Sequence, residues 1–309
     1  MLNKKDLRET IAATRQHINL REAVIEKDYY VTQVIHKLSA LENEYFRLIF
    51  CGGTCLAKAH KLVRRMSEDV DFKIQPKVNE VFSKSDLKTQ LKEFREQIRS
   101  TLVIPNLSIA NDRTRNEGRY HQITLEYPFL FPIGSTLRPN IKAEFTFANI
   151  LLPTDTLYVK TIIEDVLTEL NIFTSPQTKC ISIHETAVEK WVGLTRRTMA
   201  IERGYEEDDK TLIRHVYDLN AIIRAEKIKS SFVELAKTVM ASDGKQFKNK
   251  HPEYLENPIF EIKQSLKLLK NKLLWKKRYE EFIEVMVYDN TNTPSYDQAI
   301  RTLEEINFL

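Results

Sequence analysis

Two aspartates separated by one residue, Asp69 and Asp71, are the side chains of this sequence that most clearly suggest chemistry. They alternate with Val70 and Phe72 in the segment 67–72. Because successive side chains of a β-strand point to opposite faces, the pattern predicts a strand with both carboxylates on one face. Carboxylates are hard oxygen ligands, and Mg²⁺ binds such groups together with the phosphates of a substrate. The pair therefore predicts a site for Mg²⁺, with Mn²⁺ as the alternative ion.

A glycine pair precedes the aspartates. Gly52 and Gly53 follow the apolar run 48–50 in a chain that has only 7 glycines. Glycine permits a positive φ and a close approach of the backbone to a ligand. Thr54 is suited to cap a helix over residues 54–65, which contains Lys58 and further basic residues. Since a helix start offers free N–H groups, the segment predicts a phosphate-binding turn.

The glycine pair, the helix and the Asp-x-Asp strand together resemble the nucleotidyltransferase fold of DNA polymerase β-like enzymes. The segment 52–72 is more specifically similar to the AbiEii-type nucleotidyltransferase toxins of abortive infection, a phage defence. Their motif reads Gly-Gly-Thr-x-Leu-x-Lys, then Arg-x-Ser-x-Asp-hydrophobic-Asp. The resemblance implies that Asp69 and Asp71 are catalytic metal ligands and that Ser67 lies beside them. It also implies that the glycine turn, with Thr54 and Lys58, holds the triphosphate of an NTP.

A third acid is expected from the strand candidate 140–147. Its apolar residues alternate with polar ones, so Glu144 lies on a polar face with Lys142 and Thr146. Polymerase β-like enzymes take a third acid from a strand beside the Asp-x-Asp strand, and the resemblance implies Glu144 as that catalytic metal ligand. Glu126, in the strand candidate 120–127, is the competing choice. For either residue the alternative is an exposed strand carboxylate without a role.

The chain from residue 182 onward is expected to be helical, and it carries the second half of the resemblance. AbiEii-type enzymes have a lysine on one helix, arginines one or two turns later, and then Arg-(Asp or His)-x-x-Asp-Leu. Lys190, Arg197, Arg214 and Asp218 match this pattern. The resemblance implies Lys190 and Asp218 as catalytic and the two arginines as nucleotide-binding. Alternatively, Arg214 and Asp218 simply pair, because they are four residues apart on one helix face.

Two charged segments allow two interpretations each. Lys27 and Asp28 are either a solvated helix face or part of a helix that packs behind the site and positions it. The basic run from Lys270 to Arg278 surrounds Trp275. It could hold an RNA backbone and stack a base, but a solvated helix face is the favoured interpretation.

The composition limits the class of protein. With 309 residues the chain is long enough for two modest domains, and 42% hydrophobic residues support a packed core. The net charge of +4 is compatible with a nucleotide or nucleic-acid partner. Three cysteines without a C-x-x-C pair indicate a reducing compartment. With no apolar run of about 18 residues and no signal-peptide pattern, we expect a cytoplasmic protein without a membrane partner.

We therefore predict an α+β fold. Residues 1–165 would form a polymerase β-like nucleotidyltransferase core, with N-terminal helices and a mixed sheet flanked by helices. Residues 166–309 would form a mainly helical C-terminal domain that completes the cleft.

The expected reaction moves a nucleoside monophosphate from an NTP to a hydroxyl, releases pyrophosphate and depends on Mg²⁺. The resemblance implies the toxin of a toxin–antitoxin system, with tRNA as acceptor and a cognate antitoxin encoded nearby. The alternatives are nucleotidylation of a protein and a catalytically silent module that binds RNA or a partner.

Overall fold

The chain folds into an α+β structure. The computed structural model describes residues 2–77, 82–133, 137–173, 177–225, 228, 230–247, 251–288 and 292–306. It separates into two compact units. One consists of Met1–Lys61 with Met66–Ser182, and the other of Leu62–Arg65 with Ile183–Leu309. The predicted fold class is confirmed.

The first unit is built on a sheet. Its described strands are β1 (Phe46–Cys51), β2 (Asp69–Pro76), β3 (Ser108–Arg115), β4 (Tyr120–Glu126), β5 (Asn140–Phe147), β6 (Asp155–Tyr158) and β7 (Gln177–Cys180). Its described helices are α1 (Lys4–Arg15), α2 (Glu22–Ser39), α3 (Gly52–Lys58), α4 (Lys84–Thr101) and α5 (Ile162–Val166).

The sheet is mixed, as the sequence predicts. The strand order is β3-β4-β5-β2-β1-β7-β6. The pairs β2–β5 and β1–β7 are parallel, whereas the other neighbouring strands are antiparallel. Val70, Phe72 and Ile74 alternate along β2 and are buried with apolar residues of α2 and α4 in one core. This apolar face leaves the opposite face of β2 to its polar side chains.

Helix α4 covers part of the apolar face. Ser83 caps it by accepting a hydrogen bond from the backbone N–H of Asp86. Leu87, Leu91, Phe94 and Ile98 recur at helical spacing and are buried. The burial of this apolar face leaves most of the basic residues of α4 toward solvent.

The second unit is mainly helical. Its described helices are α6 (Ile183–Glu202), α7 (Arg214–Arg224), α8 (Phe232–Gln246), α9 (Pro252–Glu256), α10 (Pro258–Asn271), α11 (Leu273–Met286) and α12 (Tyr296–Glu304). The segment Leu62–Arg65 joins this unit through a β-bridge from Arg65 to Val287. Within the described ranges, none of the helices combines the length and the apolar character that a membrane crossing requires.

Candidate active site

Three carboxylates lie on the polar face of the sheet. Asp69 and Asp71 are half-buried on β2, while Val70 between them is fully buried. In the parallel pair β2–β5, Asp71 is directly opposite Glu144 and Asp69 is opposite Lys142. Paired residues of neighbouring strands point to the same face and their strands are about 4.8 Å apart. The structure thus brings together Asp69, Asp71 and Glu144, as expected from the sequence.

The competing acid, Glu126, lies farther along the sheet. In the pair β4–β5, Gln122 is opposite Glu144, whereas Glu126 is opposite Asn140. Four residues along a strand correspond to about 13 Å. Glu126 therefore shares the face but not the row of Asp71, so the register favours Glu144 as the third acid.

Gly52 makes room for Asp71. Cys51, at the end of β1, is paired with Asp71, and Gly52 follows with a φ of +75°. A Cβ at Gly52 would lie 2.1 Å from Oδ2 of Asp71. The glycine pair is expected from the sequence to approach a ligand, but at Gly52 the close approach is to the carboxylate of Asp71.

Helix α3 differs from the predicted helix over residues 54–65. It begins at Gly52 and ends at Lys58, and its N-cap is Cys51. Thr54 lies inside the helix, so the prediction that it is the cap is wrong. Its hydroxyl donates to the backbone carbonyl of Asp69 and lies 2.7 Å from Oγ of Ser67. Thr54 and Ser67 thereby tie α3 to the start of the strand that carries the aspartates.

Helix α2 packs behind this site. Lys27 is fully buried, and its Nζ lies 2.7 Å from Oε1 of Glu68. The neighbouring Asp28 forms an ion pair with the buried ammonium of Lys58, and its Oδ2 accepts a 2.7 Å hydrogen bond from the backbone N–H of Ile162. The interpretation of Lys27 and Asp28 as a solvated face is wrong, because both residues hold elements of the site in place.

Arg138 links Glu68 to Asp69. Its Nη2 lies 2.7 Å from both carboxylate oxygens of Asp69, and its backbone N–H donates to Oε1 of Glu68 over 2.7 Å. Its carbonyl accepts from Nζ of Lys27 over 2.8 Å. Burial acts to raise the pKa of Glu68, but Lys27 and Arg138 outweigh it and the pKa lies below its usual value. Glu68 is thus a buried anion that fixes Arg138 against Asp69.

Neither Arg138 nor Glu68 is among the residues predicted from the sequence. The only local signal is a further carboxylate directly before Asp69, because the partners of Glu68, Lys27 and Arg138, are 41 and 70 residues away in the chain.

Two residues of β4 flank Glu144. Nε2 of Gln122 donates to Oε1 of Glu144 over 2.8 Å and lies 3.3 Å from the hydroxyl of Tyr120. Burial and the nearby Glu144 raise the pKa of Tyr120, so its phenol stays neutral. Neither residue is among the predicted site residues, although the alternation along 120–127 places both on the polar face.

The carboxylates are the kind of ligand that a divalent cation takes. In the described part of the chain, no group of three or more His, Cys, Asp or Glu side chains is arranged to hold a metal ion. Mg²⁺ commonly takes one or two carboxylates and completes its shell with water and substrate phosphates. Asp69 and Asp71 on one strand face, with Glu144 opposite Asp71, supply that chemistry. Arg138 contacts the Asp69 oxygens that an ion would use.

A second polar cluster lies inside the helical unit. Asp218 is fully buried and accepts hydrogen bonds from Nε and Nη2 of Arg65, each over 2.7 Å. Nζ of Lys190 lies 2.8 Å from Oδ2 of Asp218. Burial acts to raise the pKa of Asp218, but Arg65 and Lys190 outweigh it and hold the pKa well below the usual value. Burial, together with Lys190, lowers the pKa of His215 to about 3.

Asp218 thus pairs with both Lys190 and Arg65. Arg65 completes the cluster and was not predicted to do so, because the sequence pattern placed it on the helix after the glycine pair. Arg214 is the first residue of α7, one turn before Asp218. Arg197 is part of another cluster, where its Nη2 lies 2.8 Å from Oδ2 of Asp209.

The basic run on α10 and α11 is an ion-paired surface. Trp275 is only 3% exposed, so a base cannot stack on it. The lysines of the run bind acids of other elements in the pairs Lys270–Glu304, Lys272–Glu202 and Lys276–Asp297. This agrees with the favoured interpretation of the run as a solvated helix face.

The sheet, the glycine turn and the row of carboxylates agree with the arrangement expected of a nucleotidyltransferase. The family described as nucleotidyl transferase AbiEii toxin, type IV toxin–antitoxin system, matches residues 38–302. The chain belongs to this family of toxin nucleotidyltransferases, and the resemblance drawn from its motifs is confirmed.

Several solved structures are similar to this chain. MenT4, a nucleotidyltransferase toxin from Mycobacterium tuberculosis H37Rv, is 17% identical, with a TM-score of 0.43 over 72% of this chain and 76% of that chain. No curated protein matches the sequence.

Proposed function

We propose that this chain transfers a nucleoside monophosphate from an NTP to a hydroxyl of tRNA, releases pyrophosphate and requires Mg²⁺ or Mn²⁺. The pairing of Asp71 with Glu144, two residues along β2 from Asp69, carries the proposal. Phosphoryl transfer asks the protein mainly to position the reactants and to stabilise charge. A row of carboxylates beside a glycine turn is suited to that task.

The residues of the first unit would have three separate roles, which are metal binding, proton acceptance and triphosphate binding. Asp69, Asp71 and Glu144 would hold the metal, which supplies charge neutralisation at the phosphates. Glu144, oriented by Gln122, would also accept the proton of the acceptor hydroxyl. Backbone N–H groups of Gly52, Gly53 and Thr54 would bind the triphosphate.

Supporting residues would keep this geometry. Ser67 and Thr54 would hold α3 against β2, since their side chains already interact there. Lys58, which the resemblance implies as nucleotide-binding, would contribute through its ion pair with Asp28. In the second unit, Lys190 would bind phosphate and Asp218 would orient it, with Arg197 and Arg214 as further phosphate ligands.

The biological role follows from the family. A toxin of a type IV toxin–antitoxin system implies an antitoxin as partner and an NTP as substrate. The choice of tRNA as the acceptor rests on the resemblance to AbiEii-type toxins.

The direct test incubates the purified chain with each labelled NTP, Mg²⁺ and total cellular RNA. We expect label in a tRNA-sized band with wild type and none with Asp71→Ala. Glu126→Gln is the matched control, because Glu126 lies on the same face outside the row, and it should keep the wild-type rate. Label in a protein band would replace tRNA by a protein acceptor. An unchanged rate in Asp71→Ala would contradict the assigned site.

A further inference from the structure

Helix α4 carries its basic residues as a single stripe. Five cations recur at intervals of three or four residues, so they lie on one helix face. The three acids of α4 lie on another face, and the apolar residues face the core. The stripe consists of Lys84, Lys88, Lys92, Arg95 and Arg99.

The lysines of the stripe differ from those of α10 and α11. Lys84, Lys88 and Lys92 are exposed, and no acid of the described residues forms an ion pair with them. Arg95 is half-buried and donates to the carbonyl of Gly118 over 3.1 Å. Arg99 lies 3.6 Å from Asp112. The stripe is therefore fixed at one end and offers unneutralised charge along the rest.

A surface cavity of about 570 Å³ lies between the stripe and the turn that joins β3 to β4. Thr89, Thr114, Asn116 and Gly118 supply its uncharged walls, and Glu117 is the one acid among the lining residues. Its cations are Lys88, Lys92, Arg95 and Arg115. With no aromatic side chain in this lining, the cavity suits phosphate groups better than an apolar ligand.

The register connects this surface to the carboxylates. Across β3, β4, β5 and β2, Arg113, Gln122, Glu144 and Asp71 are paired in one row. Paired side chains share a face, so Arg113 lies on the face of the acids, about 15 Å away over three strand spacings. Arg115, two residues on, lies on that face as well. Helix α4 packs on the opposite, apolar face of the sheet, so the stripe and the carboxylates lie on different sides of it. The edge strand β3 lies between them, and Arg113 and Arg115 extend the positive charge around this edge to the polar face.

We propose that the α4 stripe, with Arg113 and Arg115, binds the phosphate backbone of the RNA acceptor. This deepens the proposed function, on which it rests for the choice of RNA. Lysines four residues apart on a helix are about 6 Å apart along its axis, close to the separation of successive phosphates. Backbone contacts of this kind position a nucleic acid without reading its sequence. The RNA would pass from the stripe around the edge strand β3, so that its end reaches the row of Asp71 on the other face of the sheet.

The test compares two charge reversals. Lys88→Glu/Lys92→Glu changes the stripe, and Lys263→Glu/Lys267→Glu is the matched control. The control lysines are also exposed, four residues apart on a helix and without an ion pair among the described residues. Binding of labelled total tRNA is followed by fluorescence anisotropy over a series of salt concentrations. We expect the stripe variant to bind at least about tenfold more weakly, with a salt slope smaller by about two, and the control to bind like wild type.

Other results would overturn the proposal. One is equal RNA binding by both variants and wild type. Another is a fluorescent poly-glutamate probe that binds through the stripe while RNA does not, which would indicate an acidic protein partner. If RNA binding depends on the stripe but no NTP label enters RNA, the surface stands and the proposed acceptor reaction fails. If label enters RNA while RNA binding is independent of the stripe, the acceptor reaction stands and the proposed surface fails.

Discussion

The carboxylate of Asp71 lies against the Cα of Gly52, where a Cβ would approach Oδ2 to 2.1 Å. The φ of Gly52 is +75°, a conformation that costs other residues about 1–2 kcal/mol. Two independent constraints therefore require glycine at position 52. The positive φ of the turn disfavours other residues, and the carboxylate of Asp71, a proposed metal ligand, leaves no space for a side chain.

Gly52→Ala should therefore reduce activity more than stability. The methyl group must displace the Asp71 carboxylate, and a displacement of about 1 Å in such a site can cost about 100-fold in rate. Gly204→Ala is the control, because Gly204 has a φ of +74° and a Cβ added there would meet no atom within 4 Å. It should lose similar stability and keep its activity. Thermal unfolding followed by circular dichroism and the transfer rate separate the two effects. Equal transfer rates would contradict the proposed role of Asp71.

The choice between the two glutamates can be tested at constant shape. Glu144→Gln removes the charge in the row of Asp71, and the rate should fall by about 100-fold or more, as for the loss of a general base. Glu126→Gln should stay within about twofold of wild type, because its side chain is about 13 Å along the sheet. The measurement is the rate of NTP label transfer at saturating NTP. A greater loss in Glu126→Gln would move the third acid to that position.

The sequence predicts the two strands that carry the acids, but it does not predict which of their residues are paired. Alternation in 67–72 and 140–147 is a local signal, so the faces of Asp71 and Glu144 followed from it. Their direct pairing depends on the register of two strands separated by about 70 residues, which no local pattern contains.

The site residues that the sequence did not predict have the same explanation, because their partners are distant in the chain. Arg138 and Glu68 form an ion pair whose members are 70 residues apart in the chain. Arg65 and Asp218, both of the second unit, are 153 residues apart. Threonine is a residue type that often caps helices, but here the hydroxyl of Thr54 donates to the backbone carbonyl of Asp69. In each case a long-range contact overrides a local preference.

Arg138 should compete with a divalent cation for Asp69. Nη2 contacts both oxygens of that carboxylate, so an ion that binds there must displace the guanidinium. We expect Arg138→Gln to bind Mn²⁺ about tenfold more tightly in the absence of NTP, since one elementary charge of competition is removed. Isothermal titration calorimetry measures the affinity.

Two variants bracket this result. Asp69→Asn should bind Mn²⁺ more weakly, and Arg21→Gln, an exposed arginine in the same unit, should behave like wild type. Weaker Mn²⁺ binding by Arg138→Gln would show that Arg138 supports the metal site instead of competing for it.

The buried Asp218 should make the helical unit sensitive to acid. Its pKa lies below that of the unfolded chain, so the folded state binds fewer protons and is stabilised above the ordinary pKa of 3.8. This stabilisation is complete above about pH 5 and is lost progressively as the pH falls below 3.8 toward the depressed pKa of the folded state. Lys190→Met removes one of the two cations and leaves the two contacts from Arg65. The variant should be less stable at pH 7, by about 1–3 kcal/mol, and the difference from wild type should shrink as the pH falls.

Tryptophan fluorescence can follow this unit selectively. Both tryptophans of the chain, Trp191 and Trp275, are buried in it, so urea unfolding at several pH values reports its stability. Lys270→Met is the control, because Lys270 pairs with Glu304 at the surface and should change stability by less than about 1 kcal/mol at every pH. Parallel curves for wild type and Lys190→Met would mean that Lys190 does not depress the pKa of Asp218. Convergence in acid, with transfer lost beyond what the stability change explains, would support both the ion pair and the phosphate-binding role of Lys190.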